Sequence, residues 1–353
     1  MSLAQIFQLQ DRLVRGIVES LALPLSLRDT QALERDVPAS DRGFADYLRA
    51  NRLSRDATTM AEARDLYLSA IQEDGRYAPT WARLAGVYRF IAKFGADDDV
   101  DYVARAEDAA RRALALNPEL SFAHYVQAQL ELESGRVQSA LPRLLDRARH
   151  RPCDPRLFVA LVQGYRYAGL LDASMAADQR ACALDPSSRT SVAYTYWMAG
   201  DLDRGIDAGR RVDDMGLGLL LVAAGRIDEA RAWLVDAERR YAEFPVSRAF
   251  VRALSAYVVG NGAESIEHAA AVSQRPTFND PEGLYYIAMV MMWNEESGRA
   301  LDVLSHAVAR GFACPIALDV DPTWRSLERR TDFVALKEVV ARRHCELAAA
   351  FGL

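Results

Sequence analysis

The sequence predicts an all-α chain, an α-α superhelix in which antiparallel helix pairs stack as a solenoid, and three observations carry that prediction. Pro118, Pro152 and Pro186 stand 34 residues apart, and Gly135 and Gly169 share that spacing between them. Within each period the apolar residues recur at helical spacing in two blocks, separated by the glycine and closed by the proline. The unit from Phe158 is the clearest. It reads Phe158, Leu161, Tyr165, Gly169, Ala181, Pro186: large, large, aromatic, turn, small, stop.

A 34-residue helix-turn-helix with this order of large and small positions resembles the tetratricopeptide repeat. A small residue on the second helix lets it approach the large residues of the first. Neither helix pair covers its apolar face alone, so neighbours must stack.

In chain order, Met1 to Leu23 reads as an amphipathic helix, with Ile6, Leu9, Leu13, Ile17 and Leu21 on one face and Pro24 ending it. It serves either as a cap on the first repeat or as a connector from an upstream segment. Leu25 to Asp41 is polar, holds Pro38, and reads as a loop or a short irregular helix. Repeats begin near Phe44, with Tyr47, Ala50 and Leu53 on a first helix and Ala63, Tyr67 and Ala70 on a second. Trp81, Leu84, Ala85 and Tyr88 open the next unit. Its second helix arrives late, which places an insertion at Phe94 to Asp101. The insertion holds Asp97, Asp98, Asp99 and Asp101, a solvated acidic loop, since the glycine and distal glutamate of a calcium loop are missing.

After Pro186 the register contracts. Gly200 follows Gly169 by 31 residues and Gly225 follows Gly200 by 25. Gly205, Gly209, Gly216 and Gly218 cluster there, each a weak helix former, so a bend or hinge is expected. Ile227 to Ala237, Val246 to Val272 and Leu284 to Ala307 supply the later helices. Phe333, Leu336, Val340 and Leu347 give a closing helix its apolar stripe. The expected division is a capping or connector segment over 1–43, repeats over 44–310 with the contraction near 200–225, and capping helices over 311–353.

Both ends resemble something more specific. Phe7-Gln8-Leu9-Gln10-Asp11, Ile17-Val18-Glu19-Ser20-Leu21 and Tyr47-Leu48-Arg49-Ala50 resemble the junction that leads into the repeats of bacterial multidomain regulators. Leu318-Asp319-Val320-Asp321-Pro322, with Trp324, Leu327, Phe333 and Leu336, resembles the segment that ends such arrays. In that family the array follows a TolB-like segment, behind a protein kinase, nucleotide cyclase or winged-helix domain. The resemblance implies a carboxy-terminal sensory or scaffolding half of a larger protein, and it assigns no catalytic residue to this chain.

The composition is that of a foldable chain, 50% hydrophobic and 26% charged. A net charge of −6, from 43 basic and 49 acidic residues, disfavours nucleic acid as a partner. The apolar runs Leu217 to Ala224 and Leu284 to Trp293 fall short of the roughly 20 residues needed to span a bilayer, so no membrane insertion is expected. The start lacks a signal-peptide pattern, and a cytoplasmic chain is expected. Cys153, Cys182, Cys314 and Cys345 have no metal-ligand spacing, and most of them read as small core residues.

Chemistry finds no foothold. His124, His150, His268, His306 and His344 fall in separate units, no serine sits in a nucleophile elbow, and neither metal nor cofactor is expected. Arg143, Arg147, Arg149 and Arg151 form a basic run where cations suit a helix C-terminus. What remains is recognition by a non-enzyme. First helices line the concave wall, and the register places Arg89, Phe122, Tyr125, Gln129, Arg156, Gln163, Arg166, Tyr167, Tyr194 and Trp197 on it. Phe122 and Trp197 become packing residues if that register slips by one. Arginines among aromatics suit an extended or helical peptide with a carboxylate feature. The expected partner is therefore a protein or peptide, and a homodimer is compatible with such an array. The other function carried forward is a peptide or small-ligand sensor that closes around its ligand near residues 200–225.

Overall fold

The computed structural model describes residues 36–95, 100–212 and 215–351, together with residues 12, 13, 16 and 20. Nearly all of the helix expected over 1–23, the loop before residue 36, and Asp97, Asp98 and Asp99 lie outside the described residues. Those residues are all-α, and consecutive helices pair as hairpins.

The hairpins are α1 (Asp41–Leu53) with α2 (Met60–Glu73), α3 (Ala78–Phe94) with α4 (Tyr102–Leu116), α5 (Ser121–Glu133) with α6 (Val137–His150), and α7 (Pro155–Tyr167) with α8 (Leu171–Leu184). They continue as α9 (Val192–Met198) with α10 (Leu202–Val212), α11 (Met215–Ala223) with α12 (Ile227–Arg240), α13 (Pro245–Val258) with α14 (Gly262–Ser273), and α15 (Pro281–Trp293) with α16 (Ser297–Ala309). A short α17 (Pro315–Val320), a 3₁₀ turn over Pro322–Leu327 and α18 (Thr331–Phe351) close the chain.

The punctuation read from the sequence works as expected. Pro118, Pro152 and Pro186 each stand two residues beyond a second helix, where a ring without an N–H ends the run. Helix α7 starts on an Asp154 side chain that accepts from the Arg156 N–H, followed by Pro155 in the first turn. Ala106, Ala113, Ala140 and Ala181 on the second helices have no exposed surface, which is what close helix approach requires.

The chain divides into two compact units, Met1–Ile91 with Asp101–Val126 and Ala92–Val100 with Gln127–Leu353. The boundaries fall inside α3, just before α4 and inside α5. In the first unit Phe44, Tyr47 and Tyr77 form an aromatic cluster with ring centroids 5.2 to 5.9 Å apart.

In the second unit α9 has 7 residues and α11 has 9. The glycines there pack rather than hinge. A Cβ on Gly218 would stand 2.4 Å from the Trp233 ring, and one on Gly205 would stand 2.9 Å from Leu220. They let short helices approach closely. Of the four cysteines only Cys314 is buried, and burial pushes its thiol up to about 12. Cys153 and Cys345 are exposed, which corrects the expectation that most would be core residues.

Candidate functional site

The positions expected on the concave wall divide into three groups. In the first unit Arg89, Phe122 and Tyr125 stay half-buried. The Phe122 and Tyr125 rings stack at 5.8 Å, and the Arg83 guanidinium lies 4.2 Å above Phe122. Gly86 lies beside this stack, where a Cβ would make ordinary contact with the Phe122 ring edge at 3.5 Å. Phe122 also packs against Ala82, Ala113 and Ala123, so it has one face in the core.

The second group was expected to face an open groove and does not. Within the second unit the inner wall is filled by the chain's own helix α15. Arg166, 2% exposed, donates from Nε to Glu282 Oε1 and from Nη2 to Glu282 Oε2 at 3.1 Å, a bidentate pair. Its Nη1 donates to the Ser191 carbonyl at 2.8 Å. Burial pulls this guanidinium down, but the Glu282 charge outweighs it and holds the proton more tightly than usual. The Tyr167 hydroxyl donates to Asp280 Oδ1 at 2.6 Å, and Lys93 reaches Asp280 Oδ2 at 2.7 Å and Glu133 at 2.8 Å. Burial raises the Asp280 carboxyl, yet Lys93 and the Tyr167 hydroxyl prevail and keep it below its ordinary value. Tyr194 and Trp197 each stack on Tyr286, both with centroids 5.2 Å away. Trp197 Nε1 donates to Asp321 Oδ2 at 3.1 Å. Gln129 is 2% exposed and Gln163 half-buried.

The expectation of an open wall at Arg166, Tyr167 and Trp197 is therefore corrected. The carboxylates and the ring that meet these residues come from Asp280, Glu282 and Tyr286. Sequence reasoning passed over these three. The signal was the unbroken apolar run Leu284 to Trp293, because a helix apolar all round is a buried helix.

The same closure fixes the hairpin turns. A Cβ on Gly135 would fall 1.6 Å from the Arg310 carbonyl oxygen and one on Gly169 2.3 Å from that of Ala313, so the turns abut backbone. His344 Nδ1 meets the Ala168 carbonyl at 2.9 Å.

The third group is Arg156 alone, exposed in a cleft of about 740 Å³ between the α6–α7 and α8–α9 connections. Among the described residues no three His, Cys, Asp or Glu side chains are grouped to hold a metal ion. No helix among them is long and apolar enough to cross a membrane.

No known family description matches this chain, and no curated protein matches it. Among solved structures, it is similar to a chain of the APC/C hetero-tetramer Cut9–Hcn1, with 12% identity over 90% of this chain and 79% of that one, at a TM-score of 0.46. It is also similar to the TPR domain of P58(IPK), with 11% identity over 88% of this chain and 98% of that one, at a TM-score of 0.26. The described residues fold as antiparallel helix pairs with turn glycines and small second-helix positions, a tetratricopeptide-like fold.

Proposed function

We propose that this chain is a non-catalytic protein-interaction module whose first unit holds a segment of a partner protein against Arg83, Arg89, Phe122 and Tyr125. The observation that carries this reading is the half-exposed Phe122–Tyr125 stack with a guanidinium over it. Aromatic and arginine side chains at a partly open surface are the types that dominate binding energy. The wall of the second unit is already occupied by α15, so recognition by inner-wall residues is assigned to the first unit.

The resemblance of both chain ends to the repeat region of bacterial multidomain regulators supports a regulatory or scaffolding role beside a signalling domain in the cytoplasm. A sensor closing near residues 200–225 is the weaker reading, because Gly205 and Gly218 are tightly packed there. The test is capture from a lysate of the source cells with the full chain and with the R89E/Y125A variant. The variant should lose the polypeptide enriched by the parent chain while keeping its helical signal and melting midpoint. Equal enrichment by both would overturn the assignment.

A further inference from the structure

The cleft at Arg156 has a chemistry of its own. It is lined by Arg151 and Cys153 from the α6–α7 connection, Arg156 from the start of α7, and Arg189 from the α8–α9 connection. Arg151, Arg156 and Arg189 are all exposed, and none of the three is paired with a carboxylate among the described residues. Arg189 donates to the Val212 carbonyl, at 3.0 Å. This contrasts with Arg143, the first member of the same basic run, which is bound to Glu131 at 3.0 Å.

Two acidic residues also line the cleft, and both are committed to the backbone. Asp154 Oδ1 accepts the Arg156 N–H at 3.1 Å, and Asp185 Oδ1 accepts the Ser187 N–H at 2.9 Å. The Ser187 hydroxyl also donates to Asp185 Oδ1, at 2.7 Å. These contacts hold the two connections in shape, and the three guanidinium groups outnumber the two carboxylates of the cleft.

We infer that this cleft is a docking site for an acidic peptide segment, Asp- or Glu-rich, of a protein partner. Guanidinium forks pair with carboxylates two-fold, and three of them around one cleft can engage successive acidic side chains of an extended segment. A polynucleotide is the poorer occupant. Its phosphates are held at fixed, close spacing and cannot turn away from Asp154 and Asp185 as the side chains of an extended peptide can, on a chain of net charge −6. The inference is independent of the first-unit assignment, since it uses other residues in the other unit.

Cys153 lies in the cleft and is exposed, while Cys345 is exposed on α18, so the full chain carries both a reporter and a control. The experiment measures alkylation of both thiols by mass spectrometry, with and without a deca-glutamate peptide, in the parent chain and in the R151E/R156E variant. Deca-thymidylate is the competing probe. The peptide should slow alkylation of Cys153 at least about fivefold, leave Cys345 unchanged, and lose its effect in the variant. Both substitutions fall on exposed side chains, and circular dichroism confirms that the variant is folded. Unprotected Cys153, equal protection in the variant, or equal protection by deca-thymidylate would each overturn the inference.

Discussion

At the scale of single residues, Arg166 shows what closure costs. A guanidinium that is 2% exposed persists only because Glu282 and the Ser191 carbonyl answer its donors. Replacing one partner strands the other. Glu282→Gln is expected to lower the stability of the full chain by about 3–5 kcal/mol in urea denaturation, whereas R166M/E282M should be more stable than either single change. A single change costing no more than an ordinary surface substitution would show that the pair is not buried in solution. Asp280 adds a pH dependence. Its folded-state carboxyl lies below the ordinary value near 3.9, so its contribution is complete above that value and is lost as pH falls through the folded one. Urea midpoints should therefore drop below about pH 4 in the parent chain and drop less steeply in Asp280→Asn.

At the scale of elements, turns and helices were legible to different degrees. The prolines at 118, 152 and 186 and the glycines at 135 and 169 located the hairpin ends, because backbone stops and left-handed turns are local properties. The partners of those elements were not legible. Arg166 meets a residue 116 positions away, and no periodicity encodes that. The two kinds of information separate in an experiment. Gly225 has φ +68° and open space around it, while Gly135 has φ +74° and the Arg310 carbonyl where a Cβ would stand. Gly225→Ala should cost about 1–2 kcal/mol, the penalty of the left-handed turn. Gly135→Ala should cost clearly more in the same thermal or urea melts, because backbone must also move. Equal costs would mean that the turn does not abut residue 310.

Helix α15 is the other lesson at this scale. Its apolar run was visible, as a later repeat helix and as a stretch too short to span a bilayer. That it is buried follows from the same residues read as a helix with no polar face, but its contacts with Arg166, Trp197 and Tyr194 do not. Tyr286→Ala removes the ring shared by Tyr194 and Trp197, and a loss of about 3–5 kcal/mol with a red-shifted tryptophan emission is expected.

At the scale of the whole molecule, each unit is to be judged on its own. In an open repeat array the terminal hairpins fray first, because each contacts only its neighbours. In the second unit α7 and α15 hold each other directly through Arg166–Glu282 and Tyr167–Asp280. Their amides should therefore exchange with solvent deuterium in one common opening event, with the same urea dependence. Separate midpoints for residues 155–167 and 281–293 would contradict this.

The march of contacts along residues 310–320 carries a last consequence. Gly135 meets the Arg310 backbone, Gly169 meets the Ala313 backbone, and Gly200 lies near the Val320 side chain, so three successive turns run along one short stretch of chain. Duplication or loss of a single hairpin, the common route by which repeat proteins grow and shrink, would shift every turn past its counterpart. A chain that gained or lost one hairpin between residues 135 and 310 would have to rebuild these contacts.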